Sequence, residues 1–186
     1  CTRCLLLENG GVKMLNSVEK VIGYYLSGDS ETLNFKKFGT DYETSTFRLD
    51  TIKINGKGKQ NEEPLIESEI IELTASIFFK NQHPERYQIT YHLHNELGEP
   101  MFSFSNKNKE LQMKKGENIV TCVFPSSFFQ SGQYFLSLFI VEDKRKAIFT
   151  EKDIFSFTIV DGNREIGSYM GKEPGYIRPQ FEWIFN

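Results

Sequence analysis

Cysteine is scarce in this chain, with three residues in 186, two of them crowded at Cys1 and Cys4. An odd number so placed makes no disulfide framework, which fits a reducing compartment. Long apolar runs are missing as well. None approaches the roughly 20 residues that a helix needs to cross a bilayer, and the start lacks the basic, apolar, small-residue order of a signal peptide. Charge of one sign is also lacking, since 22 Lys and Arg stand against 25 Asp and Glu, a net of -3. Without a broad basic field, neither nucleic acid nor direct membrane insertion is expected. Together these absences predict a soluble, cytoplasmic chain.

Histidine is rare, with three residues. His92 and His94, two apart, have a usable ligand spacing, but His83 is the only other and no third ligand is near, so no metal site is expected. Cys1 and Cys4 spell C-x-x-C, which suits a redox pair or half of a zinc site. No second pair follows, and Cys122 sits in a strand pattern.

Alternation is what the chain has in abundance. Ile71, Leu73, Ala75, Ile77 and Phe79 fall two apart with mostly polar residues between them, the pattern of a strand with one buried face. The period recurs through Tyr87, Ile89, Tyr91 and Leu93, through Tyr134, Leu136, Leu138 and Ile140, and through Phe155, Phe157 and Ile159. Strands are predicted near 46–54, 69–80, 86–94, 100–105, 117–124, 133–141 and 153–160, separated by turns such as Gly98-Glu99-Pro100 and Ser131-Gly132. The fold class is therefore mainly β, an immunoglobulin-like antiparallel β-sandwich. At roughly 130 residues such a domain buries about two thirds of its unfolded surface, enough for a core without staples.

The first 28 residues read differently. Cys4 to Leu7 and Val12 to Leu15 predict a short hairpin about the turn Glu8 to Gly11. Asn16 and Glu19 then have capping-box spacing ahead of an apolar helical stripe, Val18, Val21, Ile22 and Tyr25, that stops at Gly28. A hairpin and one helix cannot bury their apolar faces alone, so a chain that opens on Cys1 and runs into Leu5-Leu6-Leu7 is expected to have lost a preceding body. Residues 29–45 read as a polar linker and 46–186 as the sandwich domain.

The string CTRCLLLENGGVK, from Cys1 to Lys13, and the helix ending VIGYYL resemble the last part of an ABC-transporter nucleotide-binding domain. Glu8, Gly10 and Gly11 lie at that family's turn, and Tyr25-Leu26 at the end of its closing helix. The resemblance makes residues 1–28 a remnant of that domain and the Cys1 to Cys4 stretch a helix end packed on it. No G-x-x-x-x-G-K-[ST] phosphate loop, signature sequence or switch histidine is in the sequence, so no enzyme activity and no cofactor are expected of this chain. ATP and Mg would belong to the missing nucleotide-binding domain, and the full-length parent to the ATPases.

Three further stretches, NELGEPMF at 95–102, SGQYFL at 131–136 and FSFTIV at 155–160, resemble landmarks of one domain in their order and spacing. It is the C-terminal sandwich appended to the ATP-binding subunits of O-antigen and related polysaccharide exporters, the Wzt type. The resemblance implies a homodimer at the inner face of the bacterial inner membrane, held to a membrane-spanning permease subunit through the missing domain. It also implies that the sandwich recognises a lipid-linked polysaccharide and couples it to export. Exchange of a terminal strand is implied too. Phe181, Trp183 and Phe185 alternate within 176–186, beyond a Gly175 to Pro179 hinge, and fit either an exchanged dimer strand or an edge strand closing its own sandwich.

Sugars present arrays of hydroxyls and weakly apolar ring faces, so their sites combine hydrogen-bonding side chains with exposed aromatics. Parity turns Gln88, Thr90, His92 and His94 outward on one strand, and Phe135, Ser137, Phe139 and Val141 on another. In an immunoglobulin-like order these strands share a sheet. The expected glycan-binding set is thus Gln88, Thr90, His92, His94, Phe135, Ser137 and Phe139, with a partner subunit or covering loop on Phe135 and Phe139 as the other reading. Two rival functions stay open: an immunoglobulin-like interaction module without sugar specificity, and a carbohydrate-active enzyme. For the latter, Glu67, Glu69 and Glu72 are the nearest carboxylates, and they read as a solubilising edge.

Overall fold

A computed structural model of the chain describes residues 3–8, 10–18, 21, 25, 34–106, 112–162, 174–179 and 181–184. The strands are β1 (Cys4–Glu8), β2 (Gly11–Asn16), β3 (Phe35–Lys37), β4 (Phe47–Gly56), β5 (Leu65–Ile66), β6 (Ile71–Phe79), β7 (Tyr87–His94), β8 (Pro100–Ser105), β9 (Gly116–Phe124), β10 (Gly132–Glu142) and β11 (Lys146–Val160). Among them β1 and β2 form a hairpin, β3-β4-β6-β9 a four-stranded sheet, and β5-β11-β10-β7-β8 a five-stranded one.

The two larger sheets pack face to face. Period-two alternation is what makes this possible: β6 and β7 bury every second residue along their whole length. Phe47, Leu49, Ile52, Ile54, Ile77, Phe79, Ile89, Leu136, Leu138 and Ile140 are fully buried between the sheets, each contributing about 1.5–3 kcal/mol of hydrophobic stabilisation. Aromatic rings fill one end of the core, where Phe129 meets Phe124, Phe128, Tyr134 and Phe157 at centroid distances of 4.9 to 5.8 Å. Taking the seven expected strands in order, the first, second and fifth lie in one sheet and the third, sixth and seventh in the other, as in immunoglobulin domains, while the fourth joins the third rather than the fifth.

Three features depart from the sequence reading. The last strand starts at Lys146 rather than near 153, because Asp143 and Lys144 (φ 50° and 59°) make a tight I′-like turn that lets β11 pair with β10 from its tip. The Arg86 guanidinium forks onto the Asp143 carboxylate at 3.0 and 2.5 Å and holds that turn. Secondly, the short β5 runs parallel to β11, so the five-stranded sheet is not purely antiparallel. Thirdly, within the segment read as a linker, β3 pairs with β4 and Phe38 joins the core.

Of the helix expected after Asn16, Val18, Val21 and Tyr25 are described, each in helical conformation. The Val21 N–H donates to the Ser17 carbonyl at 3.1 Å, and the rest of that helix lies outside the described residues. The β1–β2 hairpin leaves Leu5, Leu7, Val12 and Leu15 exposed.

Glu67 corrects the idea of a solubilising edge. It is 8% exposed, accepts the Ser131 N–H at 2.5 Å, and is paired with Arg178 at 3.0 Å.

Candidate functional site

The outward face of the five-stranded sheet is ordered by the pairing of β7 with β8 on one side and β10 on the other. His94 stands opposite Phe135, His92 opposite Ser137, Thr90 opposite Phe139 and Gln88 opposite Val141. The two rows predicted from parity are therefore neighbours. Pairing extends each row outward: Ser105, Thr90, Phe139 and Thr150 form one line across four strands, and His94, Phe135 and Ser156 another.

Ring contacts hold the centre. His92 lies 4.3 Å from Phe139 and 6.5 Å from His94, centroid to centroid. Gln88 donates to Thr90 Oγ1 at 3.4 Å. His92, His94, Phe135 and Phe139 are all half-buried, so they are walls of a surface and not core. Two polar atoms on this face, His94 Nδ1 and Ser105 Oγ, are shielded and have no hydrogen-bond partner, which in folded proteins calls for an explanation.

Ser137 is set apart from the other six residues of the predicted set. It is 1% exposed, and its hydroxyl accepts the Asp153 N–H at 3.2 Å. The cause is a bulge in β11, where Leu136 pairs with Phe155 but Leu138 with Glu151, so three residues lie opposite one. Asp153 (φ 49°) turns the bulged chain over Ser137. Sequence reasoning also passed over Ser103, Ser105, Thr150 and Ser156, which the outer strands bring to the same face. Their signal was present in the alternation of Phe102, Phe104, Phe155 and Phe157 with hydroxyl residues.

The two outward faces differ in charge. The paired rows of β7 and β10, from Gln88 to His94 and Phe135 to Val141, carry no Asp, Glu, Lys or Arg. On the four-stranded sheet Arg48 sits over the Phe78 ring at 5.1 Å and is hydrogen-bonded to Asp50, Glu117 pairs with Phe78, and Glu72 lies at the far end of β6. Titration at the sheet's rim is dominated by the Arg86 cluster: the hydrogen bond from Arg86 holds the Asp143 carboxyl below its usual range. Burial, then the hydrogen bond to Glu142, pushes the Tyr87 hydroxyl up. Among the described residues no group of three or more His, Cys, Asp or Glu side chains is placed to hold a metal ion.

The fold of this chain is similar to that of the C-terminal domain of Wzt. The likeness to that crystal structure has a TM-score of 0.51 at 10% identity, over 79% of this chain and 92% of the Wzt domain. No family model and no curated protein matches the sequence. The Wzt likeness is thus one of fold, a mainly β sandwich. Among the described residues no helix is long and apolar enough to cross a membrane.

The tail expected as a dimer strand leaves the body after Pro179. Phe181 and Trp183 are 71% and 80% exposed, and Phe185 lies outside the described residues.

Proposed function

We propose that this chain is part of the ATP-binding subunit of a bacterial polysaccharide ABC exporter of the O-antigen kind, and that its sandwich recognises the lipid-linked glycan. The observation that carries the reading is the uncharged outer face of β7 and β10, where hydroxyl, amide and imidazole groups flank Phe135 and Phe139. Such a face suits an uncharged polyol: side-chain donors and acceptors meet sugar hydroxyls while a ring lies against Phe139. The Wzt-like fold supports the assignment. In this reading Gln88, Thr90, His92, His94, Phe135 and Phe139 touch glycan, and Ser137 shapes the bulge beneath them.

The exposed Leu5, Leu7, Val12 and Leu15 support a second part of the proposal, that the hairpin packs on a nucleotide-binding domain which holds ATP and Mg and meets the permease. The subunit works as a homodimer at the cytoplasmic side of the inner membrane, and this chain itself performs no chemistry. The exposed Phe181 and Trp183 support exchange of the terminal segment between subunits.

The test is a chemical-shift titration of the 186-residue chain with oligosaccharide cut from the source bacterium's own surface polysaccharide. Saturating shifts at Thr90, His92 and Phe135 are expected. If no resonance on this face moves at millimolar oligosaccharide, the sugar assignment is wrong and the interaction-module reading takes its place.

A further inference from the structure

β8 and β9 are the outer strands of the two sheets, on the same side of the sandwich. Between them the interior opens into a cavity of about 610 Å³, within the range of small-molecule sites. It runs from the inner side of β7 and β8 out to the exposed Lys114, Glu117 and Ile119, and borders the outward face described above at Ser105. Its walls are apolar where Ile89, Phe104 and Val120 line it. The Tyr91 hydroxyl and the Cys122 thiol interrupt that apolar wall, and polar residues such as Ser105, Asn106, Asn118 and Thr121 line it too.

Tyr91 is 5% exposed and its ring stacks on Phe104 at 5.1 Å, yet its hydroxyl makes no hydrogen bond to any described residue. Other inward tyrosines are satisfied: the Tyr134 hydroxyl shares its one hydrogen between the Gln130 and Tyr176 carbonyls, at 2.6 and 2.8 Å, and Tyr87 donates to Glu142 at 3.1 Å. Unlike Ser105 Oγ, that hydroxyl is not sealed off but opens on the cavity, where an acceptor can reach it. A phenylalanine would serve packing alone at this position. Burial pushes the Cys122 thiol up, so it stays protonated and offers a weak S–H donor rather than a nucleophile. Lys114 and Glu117, both exposed along the lining, have opposite charges and favour neither sign of ligand.

We propose that this opening binds one small, neutral, largely apolar molecule that carries a carbonyl or ether oxygen, with the Tyr91 hydroxyl donating to that oxygen. The apolar body lies against Ile89, Phe104 and Val120, and the oxygen supplies the acceptor that the two donors lack. None of the residues assigned to the glycan lines this cavity, so either site can fail without the other.

The probe is 6-propionyl-2-dimethylaminonaphthalene, a flat aromatic ketone whose emission moves to the blue in apolar surroundings. Added to the 186-residue chain, it should show a saturable blue shift with one site per chain. Tyr91→Phe keeps the shift and weakens binding about fivefold, the loss of one hydrogen bond. Cys122→Phe and Val120→Phe fill the cavity and weaken binding more than tenfold. In the unaltered chain, saturating probe should also slow alkylation of Cys122 by N-ethylmaleimide, read by mass spectrometry of the peptide, a readout that needs no variant to fold. A missing blue shift overturns the proposal, as does unchanged Cys122 alkylation with probe bound. Equal affinity in Tyr91→Phe overturns the donor role.

Discussion

Glu67 and Arg178 are 111 residues apart in sequence, and Arg178 Nη1 donates to Glu67 Oε2 at 3.0 Å. Around this pair the segment after Pro174 is fastened to the body: Phe129 bridges Ile177, the Gln130 N–H donates to the Tyr176 carbonyl at 3.0 Å, and the Arg178 N–H donates to the Phe128 carbonyl at 2.7 Å. Everything beyond Pro179 therefore starts from a fixed point. Where the terminal aromatics can reach is set by this anchor.

Glu67→Gln should lower the unfolding free energy by about 2 kcal/mol, because the charged partner of Arg178 is lost while the Ser131 N–H keeps an acceptor. Chemical denaturation measures it. A change within about 0.5 kcal/mol would mean the pair is as weak as an exposed one.

Gly98 (φ +76°) turns β7 into β8, and the Asn95 side chain accepts the Leu97 and Glu99 N–H groups around it. A Cβ there meets nothing within 4 Å, so the cost of Gly98→Ala is backbone strain alone, about 1 kcal/mol. Gly39, at φ -95° and equally uncrowded, is the control. Its alanine variant should melt with the parent.

Acid should unfold the domain partly through two carboxyls. Hydrogen bonds from Arg86 and Lys80 hold Asp143 and Glu43, respectively, below the ordinary carboxylate range. Since the folded state binds their protons less readily than the unfolded state, their contribution is present above about pH 4 and is lost as pH falls through the depressed folded values. Thermal melts from pH 7 to 2 should show the parent losing more stability at the acid end than Asp143→Asn. Parallel curves would remove Asp143 from the account.

Phe139→Ala should weaken oligosaccharide binding roughly tenfold, which corresponds to about 1.4 kcal/mol, by removing the ring that packs tilted against His92. Ser137→Ala should instead cost stability and leave affinity within about twofold, because its hydroxyl serves Asp153. If the two variants bind alike, the sugar lies elsewhere.

Truncation after Pro179 should leave the melting of the monomer unchanged, since Phe181, Trp183 and Ile184 are exposed in one copy. Under strand exchange it should also turn a dimer into a monomer in light scattering. A dimer that survives truncation rules the exchange out.

Side-chain parity was legible in the sequence because it is a local property with a period of two. It placed Gln88, Thr90, His92 and His94 on one face before any partner strand was known, and the apolar partners Tyr91 and Leu93 on the other. The strands from Phe47 to His94 came within two or three residues of their observed ends for the same reason. That the strands at 86–94 and 133–141 share a sheet followed from the immunoglobulin-like order. What pairs with what, and where a strand breaks rhythm, is decided by contacts between distant segments. Only the tertiary structure therefore buried Ser137 under the Asp153 bulge, sealed Glu67 against Arg178, and drew the two-residue β5 alongside β11. It alone brought Tyr91 and Cys122 to one cavity from strands in different sheets. Alternation tells each residue which side it faces, and packing between sheets tells it what it meets there.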